Sequence, residues 1–189
     1  MLAIVVVFDL EGVLIDNHKR LRHALRKLSV NSINDIPMSK KTLFWKIYFD
    51  PNLAERLDSV NLDALKILLK KKAEGYKIAI ISGAPKEIVN IGLRKLREIA
   101  EKENHKLGID YVFWRPPGDK RKASAFKLDV AKRLKTLFRE EIVEIHDDDY
   151  NVIESFRKIG VKTYYWRNLK LVNDESLVDR KEHEDRDLR

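Results

Sequence analysis

The chain has 189 residues, enough for one α/β domain with a small insertion and too few for two large domains. Apolar residues make up 44%, which excludes a disordered polymer, and charged residues reach 36%, against about 25% in an average soluble protein. Without cysteine, a disulfide framework, a thiolate zinc site and a cysteine nucleophile are all excluded.

Lys and Glu dominate the charged excess and methionine is scarce, the balance expected of a heat-adapted protein. The net charge is +8; residues 173–189 carry a balance of −3, which leaves +11 on residues 1–172. A basic body predicts polyanionic partners such as nucleic acid or phosphorylated metabolites, with a solvated Lys-rich surface as the plain alternative. The apolar run Leu2–Phe8 is too short to span a bilayer and lacks the features of a secretion signal, so a cytoplasmic protein with no membrane partner is expected.

In chain order, Ala3–Phe8 reads as a strand buried on both faces. Asn17–Leu28 is helical, with Leu21, Ala24, Leu25 and Leu28 inward and Lys19, Arg20, Arg22, Arg26 and Lys27 on a basic face read as solvated. Residues 29–60, with Pro37 and Pro51 as breakers and aromatics at Phe44, Trp45, Tyr48 and Phe49, read as a small helical insertion. Packing onto the core is their default role and stacking on a nucleobase the alternative. Leu62–Ala73 is a helix with Leu62, Leu65, Leu68 and Leu69 inward, stopped at Gly75. Tyr76–Ile81 is a strand, and Pro85 starts a helix with Ile88, Gly92, Leu96 and Ile99 inward. Strands at about Tyr111–Trp114, Ile142–Ile145 and Val161–Tyr165 alternate with helices at about Ser124–Phe138 and Asn151–Ile159. That alternation predicts an α/β fold with a doubly wound parallel sheet, spanning 1–172, a helical insertion at about 17–60 after the first strand, and a charged tail at 173–189.

Ligands of such sheets bind beyond the carboxyl ends of the strands. Three strands end in polar residues: Asp9-Leu10-Glu11-Gly12-Val13, Ser82-Gly83, and Asp147-Asp148-Asp149; Lys127 lies near a helix start between the last two. Each alone has a plain explanation as a turn, a cap or a surface lysine. Together they suit phosphoryl transfer through a carboxylate. A phosphate dianion about 3.5 Å from a carboxylate is repelled by roughly 9 kcal/mol at an effective dielectric near 20, so an attacking Asp9 needs a hard cation such as Mg2+. Asp9 would attack, Glu11 would protonate the leaving oxygen and later activate water, and Ser82, the Gly83 N–H and Lys127 would hold phosphoryl oxygens.

These segments resemble the haloacid dehalogenase superfamily. Its four motifs would be Phe8-Asp9-Leu10-Glu11-Gly12-Val13-Leu14, Ile81-Ser82-Gly83, Lys127, and His146-Asp147-Asp148. The resemblance implies a Rossmann-like core, with Mg2+ bound by Asp9, the Glu11 carbonyl and Asp147 or Asp148. A narrower likeness is to the 3′-phosphatase domain of phage-type polynucleotide kinase-phosphatases, carried by the cap aromatics and by Trp114-Arg115-Pro116-Pro117-Gly118-Asp119-Lys120-Arg121 ahead of Lys127. It implies substrate contacts for Gly83, Arg115 and Asp119 and a nucleic-acid 3′-phosphate as substrate.

Two residues depart from the pattern: Glu11, where most related phosphatases have Asp, and Asp149, where they usually have Arg. These departures favour one alternative, a non-catalytic nucleic-acid-binding protein with the same fold; a cap this short, which leaves the site open, and a charge that is not diagnostic keep a second, a small-metabolite phosphatase. No Gly-rich phosphate loop with Lys-Ser or Lys-Thr occurs in the sequence.

Overall fold

The computed structural model describes residues 3–172; the charged tail expected at 173–189 lies outside the described residues. The elements run β1 (Ala3–Phe8), β2 (Ile15–Asp16), α1 (His18–Lys27), two 3-10 turns at Ile33–Asp35 and Met38–Lys40, α2 (Lys41–Tyr48), α3 (Pro51–Leu57), β3 (Ser59–Val60), α4 (Leu62–Ala73), β4 (Lys77–Ser82), α5 (Lys86–Lys102), β5 (Tyr111–Trp114), α6 (Ala123–Leu137), β6 (Glu140–Asp147), α7 (Tyr150–Arg157), β7 (Lys162–Arg167) and β8 (Lys170–Leu171).

The main sheet has the order β5-β4-β1-β6-β7-β8, parallel throughout except for β8, which returns antiparallel on β7. From β1 the chain steps outward to β4 and β5, then crosses back to β6 on the other side. The switch point therefore lies between β1 and β6, where α/β sheets open a crevice. β1 is buried on both faces because alternate residues feed opposite cores. Val6 and Phe8 join Ile78 and Ile80 under α4 and α5, whereas Val5 and Val7 join Ala79, Ile81 and Ile145 under α6 and α7. At Gly92 on α5 an added Cβ would lie 2.9 Å from a Leu10 methyl, so the helix seats itself against the loop that follows β1.

The expected α/β class and the order of its main elements are confirmed, with corrections of detail. Leu62 is exposed at the first turn of α4; Ala64, Leu65 and Leu68 face inward, and Asn61 caps the helix through Asp63 N at 3.2 Å. Pro51 starts α3 instead of breaking a helix, because Asp50 caps it through Asn52 N at 2.8 Å. β6 runs longer than the apolar run suggested, since Lys77 and Tyr111 both pair with Glu140 and allow a carboxylate in the strand. The small antiparallel sheet β2–β3, which brackets α1–α3, had no sequence signal. α1 and α2 share a core of their own made by Ala24, Leu25, Leu28, Ile36, Phe44 and Tyr48. Among the described residues no helix is long and apolar enough to cross a membrane.

Candidate active site

The carboxyl ends of β1 and β6 are in register, Phe8 beside His146, and Asp9 N donates to the His146 carbonyl at 2.8 Å. Asp9 and Asp147 thus leave adjacent strands side by side. Lys127, on the first turns of α6, reaches between them, with Nζ 3.0 Å from Asp9 Oδ1 and 2.6 Å from Asp147 Oδ2. Asp148 completes the group: Asp9, Asp147 and Asp148 each present a carboxylate oxygen within 4.8 Å of the others. Its carboxylate fits because residue 12 is glycine. A Cβ at Gly12 would lie 2.0 Å from Asp148 Oδ2, and the backbone there turns through φ +79.

The electrostatics of the group are unbalanced. Three carboxylates face one ammonium, which leaves two negative charges without a partner if all are ionised. Burial pushes the Asp147 carboxyl up to about 7, against the pull of Lys127 and with repulsion from Asp9 added. Asp9 is raised by burial despite Lys127, and Asp148, open to solvent on one side and crowded by protein on the other, is raised well above the ordinary carboxylate value by lost hydration and by Asp9 and Asp147. Lys127 is held above its ordinary value by the two aspartates that outweigh its burial. An all-oxygen donor set short of two positive charges is the complement of a hard divalent cation.

The remaining motif residues arrive from β4 and β5. Ser82 is fully buried, its Oγ accepting from Ala84 N at 3.0 Å. Arg115 follows β5 and folds back, its Nε donating to the Gly83 carbonyl at 3.1 Å and its Nη1 to the Arg121 carbonyl at 2.6 Å, with the guanidinium 5.2 Å over the Phe126 ring. The Asp119 carboxylate is gripped by the Arg121 guanidinium and the Arg121 N–H, which holds it down at about 2. Arg115 and Asp119 therefore fasten the 115–121 loop against the Gly83 turn. Asp149 caps α7 through Asn151 N at 2.8 Å, a local reason for an acid at that position.

Around these residues opens a cleft of about 710 Å³, lined by Asp9, Glu11, Lys127 and Asp148 together with Trp45 and Phe49 from the end of α2 and Arg115, Lys120 and Arg121 from the loop after β5. The aromatics divide in role. Phe44 and Tyr48 are buried in the α1–α2 core, while Trp45 is 43% exposed and stacks on Phe49 at 5.4 Å. A smaller hollow of about 310 Å³ between Arg157, Lys162 and Leu171 shares no lining residue with the cleft. His146 stacks between Phe8 and Tyr164 at 4.4 and 4.6 Å and accepts from Trp166 Nε1 at 3.2 Å, a core contact.

One expectation is overturned. Arg20 is not on a solvated face: its side chain is fully buried. It donates to Glu11 Oε1, to Asp58 Oδ1 at 2.9 Å and to the Tyr48 carbonyl at 2.7 Å, with the guanidinium 4.4 Å over the Tyr48 ring. The signal was present, since Arg20 lies one helical turn before Ala24 on the inward stripe. Glu11 is raised by burial, which outweighs Arg20. Asp58 and Asn17, the latter donating to Tyr48 Oη at 2.6 Å, belong to the same network and carried no signal in the sequence.

No family model and no curated protein matches the chain. Solved structures do. A chain of the Pnkp1/Rnl/Hen1 RNA repair complex is 18% identical, with a TM-score of 0.56 over 87% of this chain and 42% of that one, so the chain spans less than half of that neighbour's length. A haloacid dehalogenase-like hydrolase from Streptococcus pneumoniae is 14% identical, with a TM-score of 0.56 over 85% of this chain and 83% of that one. A hydrolase from Pseudomonas syringae is also 14% identical, with a TM-score of 0.57 over 85% and 82%. At such identities the likeness is one of architecture: the chain has the haloacid dehalogenase-like fold, with its four motif segments gathered at one end of the sheet.

Proposed function

We propose that the chain is a Mg2+-dependent phosphomonoesterase that works through Asp9, with a nucleotide or nucleic-acid 3′-phosphate as its substrate. The observation that carries the reading is the convergence of Asp9, Lys127, Asp147 and Asp148 at the switch point between β1 and β6, two positive charges short of balance. Asp9, Asp147, Asp148 and the Glu11 carbonyl would hold Mg2+, which when bound supplies the positive charge that a phosphoryl group needs beside a carboxylate.

In the first step an Asp9 oxygen forms a bond to phosphorus as the ester oxygen leaves and takes a proton from Glu11. In the second a water attacks the aspartyl-phosphate, gives its proton to Glu11 and releases phosphate with Asp9 restored. Lys127 and the N–H groups of the Gly83 turn hold the phosphoryl oxygens in both steps. The nucleic-acid part of the reading is supported by the aromatic (Trp45, Phe49) and basic (Lys120, Arg121) residues that line the cleft, and by the RNA repair complex among the structural neighbours. The α1–α3 segment is the cap in this reading. Mg2+-dependent release of phosphate from a 3′-phosphorylated oligonucleotide tests it; an Asp9→Asn protein of undiminished activity would refute it.

A further inference from the structure

The network around Arg20 has no part in the four motifs, yet it ends on Glu11. Arg20 comes from α1 and Asp58 from the segment between α3 and β3, both in the cap, whereas Glu11 lies in the loop after β1. The guanidinium is anchored on three sides, by Asp58 Oδ1 at Nε, by the Tyr48 carbonyl at Nη1 and by the Tyr48 ring beneath it. Its remaining arm, Nη2, donates to Glu11 Oε1. Asp58 is fixed in turn: Lys95 of the core helix α5 donates to the Asp58 carbonyl at 2.6 Å and to the Ala54 and Glu55 carbonyls at the end of α3.

A glutamate at this position has one more rotatable bond than an aspartate, and each free torsion spreads its carboxyl over more positions. A planar guanidinium held from behind removes that freedom, because its fork fixes direction as well as distance. It binds one oxygen of Glu11. Among the described residues the other, Oε2, takes no hydrogen bond, while Glu11 itself lines the cleft that holds Asp9. Arg20 thereby holds the carboxyl by Oε1 alone and leaves Oε2 without a protein partner among these residues.

We infer that Arg20 and Asp58 are positioning residues for Glu11, so that the cap, beyond covering the site, sets the aim of the acid that protonates the leaving group. This rests on the reading of Glu11 as the general acid, and leaving-group chemistry separates the two. An alkoxide leaves only if it is protonated as the bond breaks, whereas 4-nitrophenolate leaves unaided. The first step is read in a single turnover with Mg2+, as release of alcohol from glycerol 2-phosphate and of nitrophenol from 4-nitrophenyl phosphate. Arg20→Lys and Asp58→Ala are compared, the latter keeping the guanidinium should the former fail to fold.

Both variants are expected to slow alcohol release about 10²-fold, the usual scale of general acid catalysis, and to change nitrophenol release by less than about threefold. Adding Arg20→Lys to Glu11→Gln should cost nothing further on glycerol 2-phosphate. Equal losses on both substrates, no loss on either, or a double variant well below Glu11→Gln alone would overturn the inference while the phosphatase reading stood. A wild-type chain inert on both substrates and on a 3′-phosphorylated oligonucleotide would overturn the reading and the inference together.

Discussion

Lys127 Nζ and Asp147 Oδ2 lie 2.6 Å apart with both side chains sealed from solvent. Removing one partner of such a pair leaves a buried charge with nothing to balance it. Lys127→Met keeps most of the volume and is expected to cost about 3–5 kcal/mol at neutral pH or above without metal. The loss should shrink in mild acid, where Asp9 and Asp147 can take up protons instead. Urea denaturation at the two pH values measures both; a pH-independent loss would contradict the account.

The Asp147 carboxyl titrates at about 7 in the fold, against an ordinary 3.8. A raised acid binds its proton more tightly folded than unfolded. Its contribution to stability is therefore complete below the ordinary carboxylate range and is lost as pH rises to about 7. Mg2+ competes with that proton, so the thermal shift on adding it should be large at about pH 8 and small at about pH 5. Equal shifts at both, by scanning fluorimetry, would count against cation binding at the cluster.

Gly12→Ala would place a Cβ 2.0 Å from Asp148 Oδ2 at a backbone φ of +79. The carboxylate can swing aside, but the backbone cannot relax, so a destabilisation of about 1–3 kcal/mol is expected. The displaced Asp148 should also weaken Mg2+ binding, measurable by titration calorimetry. Unchanged affinity would show that Asp148 is not a ligand.

Trp45 is 43% exposed and lines the cleft. If it stacks on the terminal base, Trp45→Ala should lower kcat/KM on a 3′-phosphorylated oligonucleotide by about tenfold, the scale of one base–aromatic contact. Turnover of 4-nitrophenyl phosphate should not change, and Trp45→Phe should restore most of the loss. Equal effects on both substrates would assign Trp45 to cap packing instead.

The main strands and helices were legible in the sequence because their signals are local. Ala3–Phe8 is too apolar for anything but an interior strand, and α4 and β5 begin and end at the residues that periodicity and turn chemistry marked. The order of Asp9, Ser82, Lys127 and Asp147 along the chain gave the candidate site in outline, since strands of a parallel sheet deliver their carboxyl ends to one edge. Tertiary structure alone decided which groups meet there. Arg20 sits among four other basic residues of residues 19–27, and helical spacing does not reveal that Glu11 and Asp58, brought from elsewhere in the chain, compensate its charge. The same holds for Arg115 and Asp119, whose partners Gly83 and Arg121 are set by the pairing of β4 with β5 and by the closure of a loop. Burial of a charge is a property of its surroundings, and those are assembled only when distant segments pack.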